Sequence, residues 1–417
     1  MNEHKKPIAI VLGGTNPHKA LVENLKGRGY YTILLDYLTN PPAAEVADEH
    51  IQESTLDKEK VLEIAKDRRA DLVIATCIDQ ANVTACYVAE KLGLPHPYAY
   101  ETARVIANKI EMKEKLLEFQ IPTAKFSVVS NTNISEISQK FNFPVVVKPA
   151  DTGGSKGVRK VFNNQELQSA VEKALSVSNK KEVIVEEFTE GDNIDAVCFI
   201  NKGVAQVIML RKRFGIKDEA GAVLQYFHSL VPADISDSAK NRIQAIVQSI
   251  ADKFNFYSTP IQLQLIVNGH NASVIEFAPR VGGGLSFKTT NMIYNFDILN
   301  ATVDTFFKNE ILLNVSETDK LFSEVNLYAK EAVIDRVEGF DRCLSEGLIK
   351  QSYIYKSKGD VVTSDMASRD RVGSFIVSGE TIDELEGKIK KVVDLICIYD
   401  SSNKDRFNRE LYNSLFA

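Results

Sequence analysis

The sequence predicts a mixed fold that is α/β in its first part and α+β in the rest. Over the first hundred residues, short apolar strands alternate with helical periods, which is the pattern of a parallel, doubly wound sheet. Beyond residue 126, consecutive strand and turn signals around a glycine-rich loop are typical of antiparallel strands instead. Two hairpin patterns, which turn at Asn201-Lys202-Gly203 and Asn268-Gly269, continue the antiparallel part.

Size and composition are those of an ordinary globular protein. The 417 residues are enough for about two or three domains, and 44% of them are hydrophobic and 25% charged. A net charge of −6 gives no reason to expect nucleic acid or a membrane surface as a partner. The five scattered cysteines suit reduced thiols, and the N-terminus lacks the cleavage pattern of a signal peptide. We therefore expect a cytoplasmic protein.

Strand and helix alternate from the N-terminus. Strands are predicted at Ile8–Leu12, Tyr31–Leu35 and Leu72–Ala75, and helices at His18–Arg28, Lys58–Arg69 and Gln80–Leu92. Gly13-Gly14 followed by Asp36 invites a dinucleotide-binding interpretation. However, GGTNPH does not match G-x-G-x-x-G, and Pro17 stands where that fingerprint needs an ordinary turn, so NAD is not favoured.

The remaining elements are predicted to be antiparallel strands with amphipathic helices. Between Phe126 and Glu187 the expected order is strand, helix, strand, glycine loop, strand, helix, strand. Hairpins are expected to pair Ile194–Ile200 with Val204–Leu210, and Pro260–Val267 with Ala272–Phe277. Further strands are predicted at Gln351–Tyr355 and Gly373–Val377, and helices at Glu101–Phe119, Ser236–Phe254 and Ile382–Leu395.

Residues 144–157, PVVVKPADTGGSKG, have the features of a polyphosphate-binding loop. Val145–Val147 can form a buried strand that fixes the position of Lys148. The glycines after it let backbone N–H groups turn toward a ligand, and Lys148 and Lys156 supply positive charge. The segment does not match the Walker pattern G-x-x-x-x-G-K-[ST]. Since such loops are also common in hairpins, the rest of the chain has to decide the ligand.

Three other segments complete a nucleotide-binding set. Lys109 lies on a predicted helix, and the strand EVIVEEF ends in the paired carboxylates Glu186 and Glu187. Another strand delivers Glu276 and then Arg280 into a glycine turn. Lysines neutralise phosphates, a strand-end carboxylate can hold Mg²⁺, and an arginine can clamp a developing phosphate or carboxylate. Taken alone, Lys109 and Glu187 would be read as a solvated lysine and a strand-end cap.

In this order and spacing the segments resemble the ATP-grasp superfamily, above all its L-amino-acid ligases. More distantly, they are similar to glycinamide-ribonucleotide-forming and carbamoyl-phosphate-synthetase-like enzymes. The likeness covers nearly the whole chain and implies the ATP-grasp fold in four parts. These parts are a Rossmann-like pre-ATP-grasp domain (1–100), a small lid domain with the glycine loop (101–190), a central domain with the metal and acyl-phosphate residues (191–326) and a C-terminal cap (327–417).

The resemblance also implies roles for individual residues. Lys109 and Lys148 would bind nucleotide phosphates, Glu276 would bind magnesium or manganese, and Arg280 would steady an acyl phosphate. Lys148 and Arg280 would thus act in catalysis. Glu186 would accept from the adenine amine, at the head of a hinge that continues as Glu187, Phe188 and Thr189. The residues implied for the lid over the phosphates are Gly153, Gly154, Ser155 and Gly157.

Three departures from the family pattern bear on this assignment. The carboxylate that usually binds the ribose is Asn193 here; Asn193 can still bond the ribose, and Asp192 or Asp195 are alternatives. The first metal-binding glutamate is replaced by Gln264, which offers only an amide oxygen, so one metal site should be weaker. The asparagine usual between Glu276 and Arg280 is missing, as it is in amino-acid ligases.

The function that the resemblance implies is an ATP- and magnesium-dependent carboxylate–amine ligase that works through an acyl phosphate. It would join an amino acid to an amine, both of them small molecules, and release ADP and phosphate. Two alternatives stay open: a purine-biosynthesis-like ligase that uses a phosphoribosyl amine, and a non-catalytic ATP-binding regulator. A homodimer is also left open. Arg371 of the cap could reach the active site, but a surface salt bridge is favoured for it. Solvated charge is the default for a set of candidate anion-binding residues: Arg211, Arg213, Lys217 and His228.

Overall fold

The structure, a computed structural model, describes residues 6–131, 134–151, 157–217, 223–363 and 370–415. Its first unit is a parallel sheet, as predicted, with strand order β3-β2-β1-β4. The strands are β1 (Ile8–Leu12), β2 (Tyr31–Asp36), β3 (Glu49–Gln52) and β4 (Leu72–Ala75), and the helices around them are α1 (Asn16–Gly27), α2 (Lys58–Asp67) and α3 (Asp79–Leu92). The edge strand β3 was not predicted, because its sequence EHIQ lacks an apolar run.

The single helix predicted at Glu101–Phe119 is wrong, because the chain breaks at Asn108. The two helices are α4 (Tyr100–Ala107) and α5 (Lys109–Glu118). Asn108 has extended dihedral angles of −95° and 110°, and its side chain accepts from the backbone N–H groups of Ile110 and Glu111. This cap makes Lys109 the first residue of a new helix and so fixes the point at which the Lys109 side chain leaves the backbone.

A small antiparallel sheet follows in the predicted order of strands and helices. It consists of β5 (Phe126–Val129), β6 (Val145–Pro149), β7 (Arg159–Val161) and β8 (Val183–Glu187), with α6 (Ser135–Lys140) and α7 (Asn164–Val177) between them. The strand order is β5-β8-β6-β7. Val146 lies opposite Glu186 in this register, so Lys148, two residues further along β6, shares a face with Glu186.

The largest sheet joins the central part of the chain to its C-terminal part. Its strands are β9 (Asp192–Asn201), β10 (Val204–Lys217), β11 (Val223–Leu230), β12 (Thr259–Asn268), β13 (Asn271–Ala278), β14 (Leu321–Tyr328), β16 (Gln351–Ile354) and β18 (Arg371–Gly379). The strand order is β13-β12-β9-β10-β11-β14-β18-β16. Both predicted hairpins are present in it, as β9–β10 and β12–β13.

The other elements pack around this sheet. Five helices are α8 (Asp237–Lys253), α9 (Ser286–Tyr294), α10 (Ile298–Phe307), α11 (Phe340–Ser345) and α12 (Ile382–Leu395), and a small sheet has β15 (Ala332–Glu338), β17 (Val361–Val362) and β19 (Cys397–Asp400). The helices α9 and α10 were not predicted. Within the described ranges, no helix combines the length and apolar character that crossing a membrane requires.

The domain boundaries at 100, 190 and 326 stay predictions, and one of them does not match the sheets. Residue 326 falls inside β14, which pairs with β11 on one side and β18 on the other. Strands of the predicted cap therefore continue the sheet of the predicted central domain. This continuity brings Arg371, the first residue of β18, toward the residues of β10 and β12.

Candidate functional site

A cleft of about 390 Å³ lies between the small sheet and the large one. Helix α5, strands β6 and β8 of the small sheet, and strands β9, β12 and β13 of the large sheet each contribute side chains to it. The cleft brings together most of the residues selected from the sequence: Lys109, Lys148, Glu186, Glu187, Phe188, Thr189, Asn193, Gln264 and Glu276. Their roles there remain predictions.

A buried ion-pair triad lies at the base of this cleft. The Lys148 Nζ donates to Glu186 Oε1 at 2.7 Å, and the Lys113 Nζ lies 3.0 Å from Glu186 Oε2. Burial alone would raise the pKa of the Glu186 carboxyl, but Lys148 and Lys113 outweigh burial and hold its pKa below the usual range. The carboxylate is therefore ionised and already has two cationic partners. The role of Glu186 as an acceptor for an adenine amine stays a prediction, and the two lysines would share this carboxylate with the adenine.

The hinge residues after Glu186 lie along the cleft. Their backbone N–H groups are used within the sheet, since Glu187 donates to the Lys125 carbonyl at 3.0 Å and Phe188 to the Pro144 carbonyl at 3.2 Å. The Phe188 ring has the Lys160 Nζ 3.6 Å from its centroid. Phe188 thus offers a flat apolar surface, covered on one face by a cation, beside the cleft.

The two candidate metal ligands face each other across a hairpin. Gln264 on β12 is the direct partner of Glu276 on β13, and Lys109 Nζ lies 3.7 Å from Glu276 Oε2. In the part of the chain that the structure describes, no three histidine, cysteine, aspartate or glutamate side chains form a metal-binding group. One carboxylate and one amide oxygen fit a magnesium ion that takes its remaining ligands from phosphate and water.

Arg280 lies in a second cavity, of about 280 Å³, which shares Lys109, Gln264 and Glu276 with the cleft. Its Nε donates to Asp79 Oδ1 at 2.8 Å and its Nη2 to Asp79 Oδ2 at 3.3 Å. Asp79 is the first residue of α3, at the edge of the parallel sheet where β4 ends. Sequence reasoning missed Asp79, because only the fold brings residues 201 positions apart into contact.

Three of the four candidate anion-binding residues contact other side chains of the protein. Arg211 is partly buried and donates to Asp195 Oδ2 at 2.6 Å and to Glu324 Oε2 at 2.9 Å. Arg213 lies 3.4 Å from Asp195 Oδ1 and stacks over the ring of Tyr226 at 3.5 Å. The expectation of solvated charge is therefore wrong for both arginines.

The same expectation is wrong for His228, whose partly buried ring stacks on Phe214 with centroids 4.2 Å apart. The Lys217 side chain lies outside the described residues. The two alternatives for the ribose contact also have other partners: Asp195 holds both arginines, and Asp192 pairs with Lys212 at 2.9 Å. Of the three, Asn193 lines the cleft, and the ribose contact stays a prediction.

Arg371 corrects the expectation of a surface salt bridge. It is partly buried beside Tyr328, Tyr355 and Glu324, and it lines the cleft. Burial would lower the pKa of its guanidinium, but the neighbouring phenols and carboxylate raise that pKa instead. Arg371 thus supplies a permanent positive charge from the C-terminal part of the chain.

The glycine loop is only partly described. Gly153, Gly154 and Ser155 lie outside the described residues, as do Thr152 and Lys156. Gly157 is described and has a φ of +77°, and a Cβ there would lie 2.9 Å from Pro149 Cγ. Glycine is therefore required at this position for both conformation and space.

Lys113 is the most buried functional candidate that the sequence reasoning missed. Its side chain is 1% exposed, and besides Glu186 it contacts Thr123 Oγ1 at 2.8 Å. A signal was present, since Lys113 follows Lys109 by four residues and so lies on the same side of a helix. Helix-surface lysines at that spacing are common, and the sequence alone does not distinguish a buried one.

Two family matches cover separate parts of the chain. Residues 116–256 match the family described as D-ala D-ala ligase C-terminus, and residues 326–400 match L-amino acid ligase C-terminal domain 2. A similar curated protein is the formate-dependent phosphoribosylglycinamide formyltransferase of Prochlorococcus marinus. It is 27% identical over 321 residues, which cover 76% of this chain and 81% of the relative.

Solved structures share the fold over nearly the whole chain. An L-amino acid ligase from Bacillus licheniformis has a TM-score of 0.77 at 17% identity and covers 96% of this chain and 100% of its own. The biotin carboxylase domain of the Hydrogenobacter thermophilus 2-oxoglutarate carboxylase, in complex with MgADP, ADP and bicarbonate, has a TM-score of 0.76 at 15% identity and covers 99% of this chain and 95% of its own. The expectation of ATP and magnesium agrees with that complex. The ATP-grasp fold expected from the sequence is therefore confirmed, and two segments of the chain match families of amino-acid ligases.

Proposed function

We propose that the protein is an ATP- and magnesium-dependent carboxylate–amine ligase that joins an amino acid to an amine-bearing acceptor. The observation that carries this proposal is the pair of cavities that share Lys109, Gln264 and Glu276. The larger cavity is lined by lysines, which suit the phosphates of a nucleoside triphosphate. The smaller one extends to Arg280 and would hold a carboxylate next to the terminal phosphate.

The proposed reaction has two steps. A carboxylate oxygen attacks the γ-phosphorus of ATP, the bond to the β–γ bridging oxygen breaks, and ADP leaves. The amine nitrogen then attacks the acyl carbon, phosphate leaves with the bonding electrons, and the nitrogen loses a proton. Lys109 and Lys148 would neutralise phosphate charge, and Arg280 would stabilise the charge on the acyl phosphate. Positioning and charge neutralisation account for most of the catalysis in phosphoryl transfer of this kind.

Magnesium, when bound, would join phosphate oxygens and offset the charge that develops on them. Glu276 and Gln264 are the residues proposed to hold it, and manganese would suit the same oxygen ligands. Because Gln264 is neutral, the protein contributes only one negative charge from this pair. We therefore expect half-maximal activity at a higher magnesium concentration than a pair of carboxylates would require.

A purine-type reaction is the second candidate, and the 27% identical formyltransferase favours it. That relative uses formate, as its name states, whereas an amino-acid ligase would use a larger carboxylate. A third reading, an ATP-binding regulator without turnover, rests on the neutral residues Asn193 and Gln264. It predicts nucleotide binding without ATP consumption, and turnover that Gln264→Glu restores.

The discriminating experiment follows phosphate release with ATP and magnesium across a panel of carboxylates and amines. The panel should contain the common amino acids in pairs, and formate with phosphoribosylglycinamide. The proposal expects at least one amino-acid pair to stimulate release of ADP and phosphate in equal amounts. Stimulation by formate alone would favour the purine-type reaction, and ATP binding with no stimulation by any pair would favour the regulator.

A further inference from the structure

Lys113 has an unusual environment for a lysine. Its ammonium group is enclosed by Glu186 Oε2 at 3.0 Å, Thr123 Oγ1 at 2.8 Å and the Phe126 ring, whose centroid is 5.3 Å away. Thr123 is itself fixed, because its hydroxyl donates to the Val274 carbonyl at 2.8 Å. Burying a lysine is costly unless it is paired, so the charge at this position needs a reason.

The triad carries more positive charge than one carboxylate requires. Glu186 would be neutralised by either lysine alone, yet both contact it, one at each oxygen. The two lysines also differ in what they can reach. Both line the cleft, but Lys148 is 9% exposed and stands near the end of β6, whereas Lys113 is 1% exposed and also bonded to Thr123. Lys148 is therefore the better placed of the two to change partners, because Thr123 also holds Lys113.

We propose that Lys113 is a positioning residue that remains the counter-ion of Glu186 when Lys148 turns from Glu186 to a nucleotide phosphate. This inference rests on the proposed function, since it takes ATP as the ligand of the cleft. In the ligand-free arrangement Lys148 is bonded to Glu186 at 2.7 Å. Without Lys113, moving Lys148 to a phosphate would leave a buried carboxylate without a charged partner, so nucleotide binding would have to overcome that cost.

Two substitutions at Lys113 separate its charge from its volume. Lys113→Met keeps an unbranched side chain but removes the charge, and we expect the Kd for MgATP, measured by calorimetry, to rise about tenfold or more, as loss of a charged hydrogen bond typically gives. The kcat should fall less than about threefold, because Lys113 touches no reacting atom. Lys113→Arg should stay within about threefold of the wild-type Kd, because it keeps the charge. Lys115→Met is the matched control, since Lys115 is an exposed lysine on the same helix that pairs with Glu118.

A double variant tests whether the weaker MgATP binding of Lys113→Met is caused by Glu186 retaining Lys148. Adding Glu186→Gln to Lys113→Met removes the carboxylate that would retain Lys148, so the double variant should bind MgATP more tightly than Lys113→Met alone. A lysine that only supports the fold would give no such rescue. If Lys113→Met proves too unstable to purify, the single variants decide: Lys113→Arg should bind MgATP like the wild type, and Glu186→Gln should bind it at least as tightly as the wild type.

The outcomes separate this inference from the proposed function. Wild-type protein that does not bind MgATP would refute both. Wild-type binding with an unchanged Kd in Lys113→Met, or a double variant no tighter than Lys113→Met, would overturn the role of Lys113 and leave the proposed function in place. A weakened Kd in Glu186→Gln would also overturn it, because Glu186 would then contribute to binding directly.

Discussion

The ion pair between Arg280 and Asp79 makes a specific prediction about the N-terminal domain. Asp79→Asn keeps the size of the side chain but removes its charge and one of the two acceptors that Arg280 uses at 2.8 and 3.3 Å. A hydrogen bond between charged groups contributes about 1.5–3 kcal/mol. The Asp79 side chain is 39% exposed, whereas that of Arg280 is 16% exposed, so water screens the pair and about 1 kcal/mol is a better expectation for stability.

The activity should change more than the stability does. Asp79→Asn leaves Arg280 charged but less well oriented, so we expect kcat to fall about tenfold while the KM for ATP changes less than about threefold. The assay is steady-state phosphate release with saturating carboxylate and amine. Glu118→Gln, which alters an exposed pair with Lys115, is the control and should match the wild type. A normal kcat in Asp79→Asn, or a rise in the KM for ATP alone, would refute the idea that Asp79 orients Arg280.

Three further predictions concern the cleft and the buried histidines. Lys148→Ala should raise the KM for ATP about tenfold or more, whereas Arg280→Ala should mainly lower kcat, by about 100-fold; equal, small effects would mean that the site is misplaced. Gln264→Glu should lower the magnesium concentration that gives half-maximal activity, and an unchanged requirement would show that Gln264 is not a ligand. Burial lowers the pKa of His18 and His96 to about 4 and that of His228 to about 3. Because the unfolded chain takes up protons below pH 6.5 that the folded chain refuses, the free energy of unfolding should fall between pH 6.5 and 4, by up to about 1.4 kcal/mol per pH unit for each histidine. Urea midpoints at pH 7 and pH 5 test this, and equal midpoints would contradict it.

The sequence indicated most of the fold because the hydrophobic periodicity was strong where strands are buried. Ile8–Leu12 and Leu72–Ala75 have apolar residues at every position, and both are strands as predicted. The break at Asn108 was missed because helical periodicity continues through it, and only the capping geometry shows the interruption. Strand β3 was missed because it is an edge strand of polar composition.

The site was predictable where function depends on residues close in sequence to a glycine turn or a strand end. Lys148, Glu276 and Gln264 meet in or beside one cleft as the order of the segments suggested. Contacts between distant parts of the chain could not be predicted from the sequence. The pair Arg280–Asp79 and the cluster around Arg211 join residues 201 and 113 positions apart, and no local pattern encodes such partners. The same holds for Lys113, whose burial depends on the sheets packed against α5.

Transfer of oxygen from the carboxylate to phosphate tests the central claim most directly. A carboxylate substrate found in the panel above would be labelled with ¹⁸O in its carboxyl group and incubated with ATP, magnesium and the amine. If the carboxylate attacks ATP and phosphate then leaves the acyl carbon, each released phosphate should carry one ¹⁸O atom, detectable by mass spectrometry. Product formation with unlabelled phosphate would contradict the acyl-phosphate mechanism and with it the roles proposed for Arg280 and Lys148.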